Sequence, residues 1–175
     1  MLKSRLFSIF ILIALIAFSF AFAQEEKYPT GKGSMLLSGS LSFYTQVSPS
    51  DGATEFTLSP SLLYFFMDKL GAGPDLSFTY HSEGGESNTA FGAGLKLGYF
   101  LSKPESKFTP FIAAGFKYIS PGDGSYFQIK GGPGVGLSLG TNGVFSLQAG
   151  YQMDMMEGQT VGNIFLEGGL GIFLF

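Results

Sequence analysis

From Ser34 onward the chain alternates apolar with small or polar residues at a period of two, in eight segments parted by turn signals. No segment shows the 3.6 spacing of an amphipathic helix, so strands are predicted throughout. The first, about Ser34 to Val47, sets Met35, Leu37, Leu41 and Phe43 against Ser38, Ser40, Ser42 and Tyr44. After a turn at Ser48 to Gly52, the second (Thr54 to Met67) sets Phe56, Leu58, Leu62, Tyr64 and Phe66 against Glu55, Thr57, Ser59 and Ser61. Asp68-Lys69 turns it into the third (Leu70 to His81), where Leu76, Phe78 and Tyr80 oppose Asp75, Ser77, Thr79 and His81. Ser82 to Ser87 separates the fourth (Thr89 to Leu101), with Phe91, Leu95, Leu97 and Tyr99 opposite Gly92, Gly94, Lys96 and Gly98. The fifth (Phe108 to Ile119) alternates Ile112, Ala114, Phe116 and Tyr118 with Ala113, Gly115 and Lys117.

In the sixth, Phe127, Ile129, Val135, Leu137 and Leu139 face away from Gln128, Lys130, Gly132, Gly134, Gly136 and Ser138. Thr141-Asn-Gly143 is a hairpin turn. The seventh sets Phe145, Leu147, Ala149, Tyr151 and Met153 against Ser146, Gln148, Gly150, Gln152 and Asp154. The last is an apolar stretch running to Phe175. Pairing it with the first strand leaves no open edge. The expectation is an all-β, eight-stranded, antiparallel up-and-down barrel over residues 34–175, with short turns after strands two, four and six at the end that holds both termini.

Alternation alone does not say which face is outside, because a water-soluble barrel alternates too. The identity of the polar face decides. A soluble barrel needs charge on its outer face. Here the polar face is Ser, Thr and Gly, and charged residues make up only 13% of the chain, against 26 Gly and 20 Phe. Small side chains suit the inside of a narrow barrel, and bulky Phe, Leu, Ile and Tyr suit a surrounding lipid. Strands of about twelve residues cross an apolar slab of roughly 25 Å when tilted. Tyr64 and Tyr99 fall near one end of the apolar face and Tyr80, Tyr118 and Tyr151 near the other, as an aromatic girdle at each lipid–water boundary would.

Two features break the pattern. Pro60, Pro74, Pro110 and Pro133 fall inside strands, where each removes a ladder donor, so bulges or strand ends are expected there. In the last strand, one parity puts Ile164, Leu166, Leu170, Ile172 and Leu174 outward and turns Phe173 and Phe175 inward. The opposite parity exposes Glu167 to lipid, and a bulge near Gly168-Gly169 would reconcile the two.

Upstream, Lys3 and Arg5 precede an apolar run from Leu6 to Phe22 and a small-x-small site at Ala21-Phe22-Ala23. Residues 1–23 read as a cleaved secretory signal and 24–33 as a short periplasmic lead. With no Cys there is neither a disulfide framework nor a thiolate metal site. A net charge of −3 makes nucleic acid a poor partner.

The stretches Leu58 to Gly71, Phe91 to Phe100 and Phe108 to Tyr118, with the closing Phe175, resemble the small eight-stranded bacterial outer-membrane barrels, the OmpA-like, OmpX-like and opacity-type proteins. The resemblance spans most of the chain after the signal. It implies a monomer in the cell outer membrane, in contact with its lipid, with Phe173 and Phe175 as the C-terminal signal for the barrel-insertion machinery. Its motifs are architectural and point to no catalytic, cofactor or metal residue. Relatives serve as adhesins, anchors or structural barrels, so the role implied is structural or surface-interacting, with no surface ligand indicated.

The inward charges Glu55, Asp75, Lys96, Lys117, Lys130 and Asp154 are the most informative constellation. Counting from the hairpins makes Asp75 and Lys96 diagonal neighbours and sets Lys130 nearly opposite Asp154. A salt-bridge network that fills the lumen is expected, since buried charges must pair. The other reading is a narrow porin-like conduit along the same residues. His81 lacks a carboxylate evidently placed to orient its ring, so it reads as a polar rim residue rather than a hydrolase base. Gly131-Gly-Pro-Gly-Val-Gly136 has no helix after it to form a phosphate site. Asp51, Glu83, Glu86, Asp123 and Glu157 make the outer turns acidic, a pattern that solvated acids explain and that divalent cations could bridge.

Overall fold

The computed structural model describes residues 29–45, 54–84, 86–101, 106–121 and 124–175. The expected signal, most of the lead, the turn with Asp51, and Asp123 lie outside the described residues. Eight strands form: β1 (Met35–Thr45), β2 (Thr54–Met67), β3 (Leu70–Glu83), β4 (Glu86–Phe100), β5 (Phe108–Pro121), β6 (Tyr126–Leu139), β7 (Gly143–Met156) and β8 (Gln159–Leu174). Each pairs antiparallel with the next, and β8 returns to β1 to close the barrel. The closing seam runs from Met35↔Leu174 to Ser40↔Gly169.

Several expectations need correction. β3 and β4 extend until Glu83 meets Glu86, so the separator expected over Ser82 to Ser87 shrinks to a tight hairpin, with Gly84 at φ 58° supplying the left-handed turn residue. The prolines shift no register. Pro60, Pro74 and Pro133 each pair with one neighbouring strand (Gly39, Leu95 and Ile112) and leave a gap facing the other. Across the Pro60 gap the β2–β3 pairs go from Leu58↔Phe78 to Ser61↔Asp75, three residues on each side. A strand residue aims its N–H at only one neighbour, so a missing donor interrupts one ladder without moving it. Pro110 does lie at a ladder's end, where its carbonyl accepts from Leu101 N at 2.7 Å. The bulge in the β2–β3 ladder falls instead between Phe65 and Met67, where Phe66 is the extra residue.

The last strand takes the first parity. Ile164 (89% exposed) and Leu166 (73%) point outward, Phe173 is buried inside, and Phe175 packs against the same interior cluster. No bulge forms near Gly168-Gly169; the register is continuous from Gly143↔Ile172 to Met156↔Gln159. Glu167 therefore faces the lumen.

The described end of the lead is tied down. Gly33 N donates to Phe65 O at 2.8 Å, and Lys69 N donates to the carbonyl of Thr30 at 2.7 Å. Lys32 N donates to Asp68 Oδ1 at 2.8 Å. This segment thus braces the β2–β3 hairpin at the end of the barrel that holds both termini of the described chain.

Candidate functional site

Inside the barrel the side chains sort by depth into three layers. At the terminal end lies an apolar floor of Leu36, Leu63, Phe65, Phe100, Phe111, Ala113, Val144 and Phe173, all buried, with Phe65 fully so. Phe65 meets Phe100 edge-on at 5.3 Å between ring centroids and Phe173 at 6.3 Å, and Phe100 stacks on Phe111 at 5.3 Å. Inward glycines make room for the rings: a Cβ on Gly98 would meet Phe100 Cε2 at 2.9 Å, and one on Gly134 would overlap the Phe111 ring. Apart from Ala113, and Phe173 in one of the two parities, residues outside the expected inward pattern thus build the floor. Their signal was present in the sequence: beside the turns the alternation lapses into apolar pairs on both faces, as in Leu62 to Phe66, Tyr99 to Leu101 and Ile172 to Phe175.

Above the floor lies the charge layer. All of Glu55, Asp75, Lys96, Lys117, Lys130 and Asp154 face the lumen, but the pairing differs from the expected one. Lys117 Nζ lies 3.0 Å from Asp75 Oδ2, bridging β5 to β3 across β4. Gly94 is the register partner of both residues, and its missing side chain leaves the space they bridge. Lys130 pairs with Glu167, which also accepts from Ser40 Oγ. Here too a glycine separates the partners: Gly150 sits midway between Gln152, opposite Lys130, and Gln148, opposite Glu167. Lys96 is not bonded to Asp75; it lines a water-sized cavity of about 50 Å³ that Lys117, Lys130 and Glu167 also border. Asp154 does not meet Lys130. Its carboxylate accepts from Gln128 Nε2 at 2.9 Å and from Gln152 Nε2 at 3.0 Å. Gln148 donates to the carbonyls of Ala113 (3.2 Å) and Gly132 (3.1 Å), the latter beside the ladder gap at Pro133. No buried side-chain nitrogen or oxygen among the described residues lacks a partner.

The third layer is space, not side chain. A cavity of about 380 Å³ lies between the charge layer and the other, loop end. The expected filling of the lumen therefore holds only for the lower part. Exposure tracks depth: the side chains of Glu55 and His81 near the mouth are 46% and 40% exposed, Lys130 and Glu167 are 26% and 21%, and Lys117 and Asp75 are 8% and 11%. The described lumen is a cup, hollow toward the loop end and closed by aromatic rings below. At its mouth, His81 Nδ1 lies 3.7 Å from Glu55 Oε2, so a carboxylate does stand beside the histidine, on β2 opposite it in register.

Tyr64, Tyr80, Tyr99, Tyr118 and Tyr151 all sit on the outer face, roughly half exposed. No group of three or more His, Cys, Asp or Glu arranged to hold a metal occurs among the described residues.

No family model and no curated protein matches the sequence. Solved structures do match. The outer membrane protein OprG from Pseudomonas aeruginosa superposes with a TM-score of 0.51 at 13% identity, covering 83% of this chain and 92% of that one. The N-terminal β-barrel domain of Pseudomonas aeruginosa OprF gives 0.49 at 15% identity over 82% and 98% of the two chains. A chain from a study of de novo designed transmembrane β-barrels gives 0.45 at 15% identity over 86% and 98%. At such identities the likeness to OprG is one of fold. In fold, the chain is a closed eight-stranded antiparallel β-barrel of the small kind that this outer membrane protein also adopts.

Proposed function

We propose that the chain is a monomeric barrel of the bacterial outer membrane with a structural or surface-interaction role and no catalysis. The observation that carries this reading is the inversion of its faces. Large apolar side chains ring the outside, among them Leu41, Phe91, Leu95, Phe108, Leu166 and Leu170, while ion pairs lie inside. An apolar surface continuous around the molecule far exceeds what a water-soluble monomer carries, whereas lipid favours it. Tyrosines on the outer face toward both ends suit two lipid–water boundaries. The terminal end then faces the periplasm, and the cup opens outward. Phe173, besides serving as the insertion signal with Phe175, helps to close the floor.

The competing reading, a narrow conduit for ions or small solutes, needs a path through the floor. Buried rings packed edge-on and face-to-face there, around a cavity of only about 40 Å³, support a closed barrel. Planar-bilayer recording of the refolded protein tests the choice. Inserted barrels without discrete conductance steps are expected; reproducible unit steps would replace this reading with the conduit.

A further inference from the structure

We infer that the cup is a binding site for a small neutral polyhydroxyl solute, of the size and chemistry of one or two sugar rings. This deepens the surface-interaction reading by naming a ligand class, and it rests on that reading for access from outside. Three observations lead to it.

The first is volume. About 380 Å³ lies within the range of roughly 300–1,000 Å³ typical of small-molecule sites, and the floor makes the space a dead end rather than a passage.

The second is charge. The ionic groups around the cup already have partners: Lys117 with Asp75, Lys130 with Glu167, Glu55 beside His81, and Asp154 with two glutamine amides. A charged ligand would have to displace one of these partners. A neutral one meets only hydrogen-bonding groups, and burying a charge without a new partner is costly.

The third is the division of the wall into sectors. On β1, β2 and β3, Ser42, Ser59 and Ser77 line the cup, and their hydroxyls have no protein hydrogen-bond partner among the described residues. On β4 and β5 the wall is Ala90 and Ile119, which are apolar, with Lys117, already paired to Asp75, beside them. On β6 and β7 it is Gln128, Gln152 and Asp154, a preorganised set of amide and carboxylate groups. A sugar ring has the matching anatomy: hydroxyls around its edge and a C–H face that packs on aliphatic carbon. Free hydroxyls on one side, a fixed amide–carboxylate set on another and an apolar panel between them suit that shape better than a uniform polar wall would.

The test uses the full-length barrel, folded in detergent micelles, with Ile methyl and Gln side-chain NMR signals as reporters. Glucose and maltose are the probes, with gluconate and glucosamine as anionic and cationic counterparts. Saturable shifts at Ile119, Gln128 and Gln152 with a neutral sugar are expected. S59A/S77A should weaken binding about five- to tenfold, for the loss of one or two hydrogen bonds. Ser77→Phe, which fills the cup, should abolish it. Resistance of the folded band to unheated gel denaturation reports the barrel separately, so loss of binding is not confused with loss of fold or with failure of the outer-membrane reading. No saturable shift with either neutral sugar would overturn the inference. So would tighter binding of glucosamine or gluconate, or shifts that survive in S77F.

Discussion

The two halves of the lumen obey the same alternation and come out with opposite chemistry. At the terminal end the inward positions are Leu36, Leu63, Phe65, Phe100, Phe111 and Phe173, and the barrel is packed around a cavity of only about 40 Å³. At the loop end they are Ser42, Glu55, Thr57, Ser77, Thr79 and Gln152, and the barrel is hollow. Backbone geometry is shared, so the difference lies in the side chains alone. Period two fixes which residues look inward, and their identity decides whether they exclude water or admit it. The charge layer is the boundary, where Lys117 and Asp75 are nearly as buried as the rings below them. This division leaves one short barrel closed on one side and hollow on the other.

The sharpest way to break the contrast is at the floor. Phe65→Ala should destabilise the barrel by about 3–5 kcal/mol in urea unfolding, because a fully buried ring leaves a cavity its neighbours only partly fill. The double variant with Phe100→Ala should also produce conductance steps that the parent lacks. Next comes the boundary. Asp75→Ala strands Lys117 and should cost about 3 kcal/mol, whereas D75L/K117M should recover most of that loss; a double-mutant cycle measures the difference. Glu167→Gln, which weakens the contacts to Lys130 and Ser40, should cost about 1.5–3 kcal/mol in the same assay. Smallest of all is the cup: Ser59→Ala removes a hydroxyl with no protein partner among the described residues and should stay within about 0.5 kcal/mol. A floor variant as mild as S59A would erase the distinction between the two halves.

Much of the architecture could be read from the chain. Alternation located the strands, and Asp68-Lys69 and Thr141-Asn-Gly143 marked tight turns at the terminal end. The ion-pair partners were not legible, for an identifiable reason. Counting back from a hairpin compares adjacent strands, but Lys117 reaches Asp75 across an intervening strand, over Gly94. Lys130 likewise reaches Glu167 past Gly150. In a narrow barrel inward side chains converge on the axis, so an inward glycine opens a path between next-nearest strands. Glu167 was obscured because the apolar residues around it suited either parity; a lumenal lysine resolves it. Pro60, Pro74 and Pro133 suggest bulges or strand ends in the sequence, but each missing donor interrupts one ladder and leaves the register in place. The cup was hidden for a simpler reason: alternation says which way side chains face, not whether they fill the space they face into.

The central claim is that the outer face meets lipid while the lumen is hollow above and packed below. Because the chain has no cysteine, single spin labels can be placed without background. The most direct measurement is their accessibility, in bilayer-reconstituted protein, to lipid-dissolved oxygen and to a water-soluble nickel complex. Labels at Leu95 and Leu166 should respond to oxygen, a label at Thr79 to nickel, and a label at Val144 to neither. Nickel access at Leu95 and Leu166 equal to that at Thr79 would contradict the account.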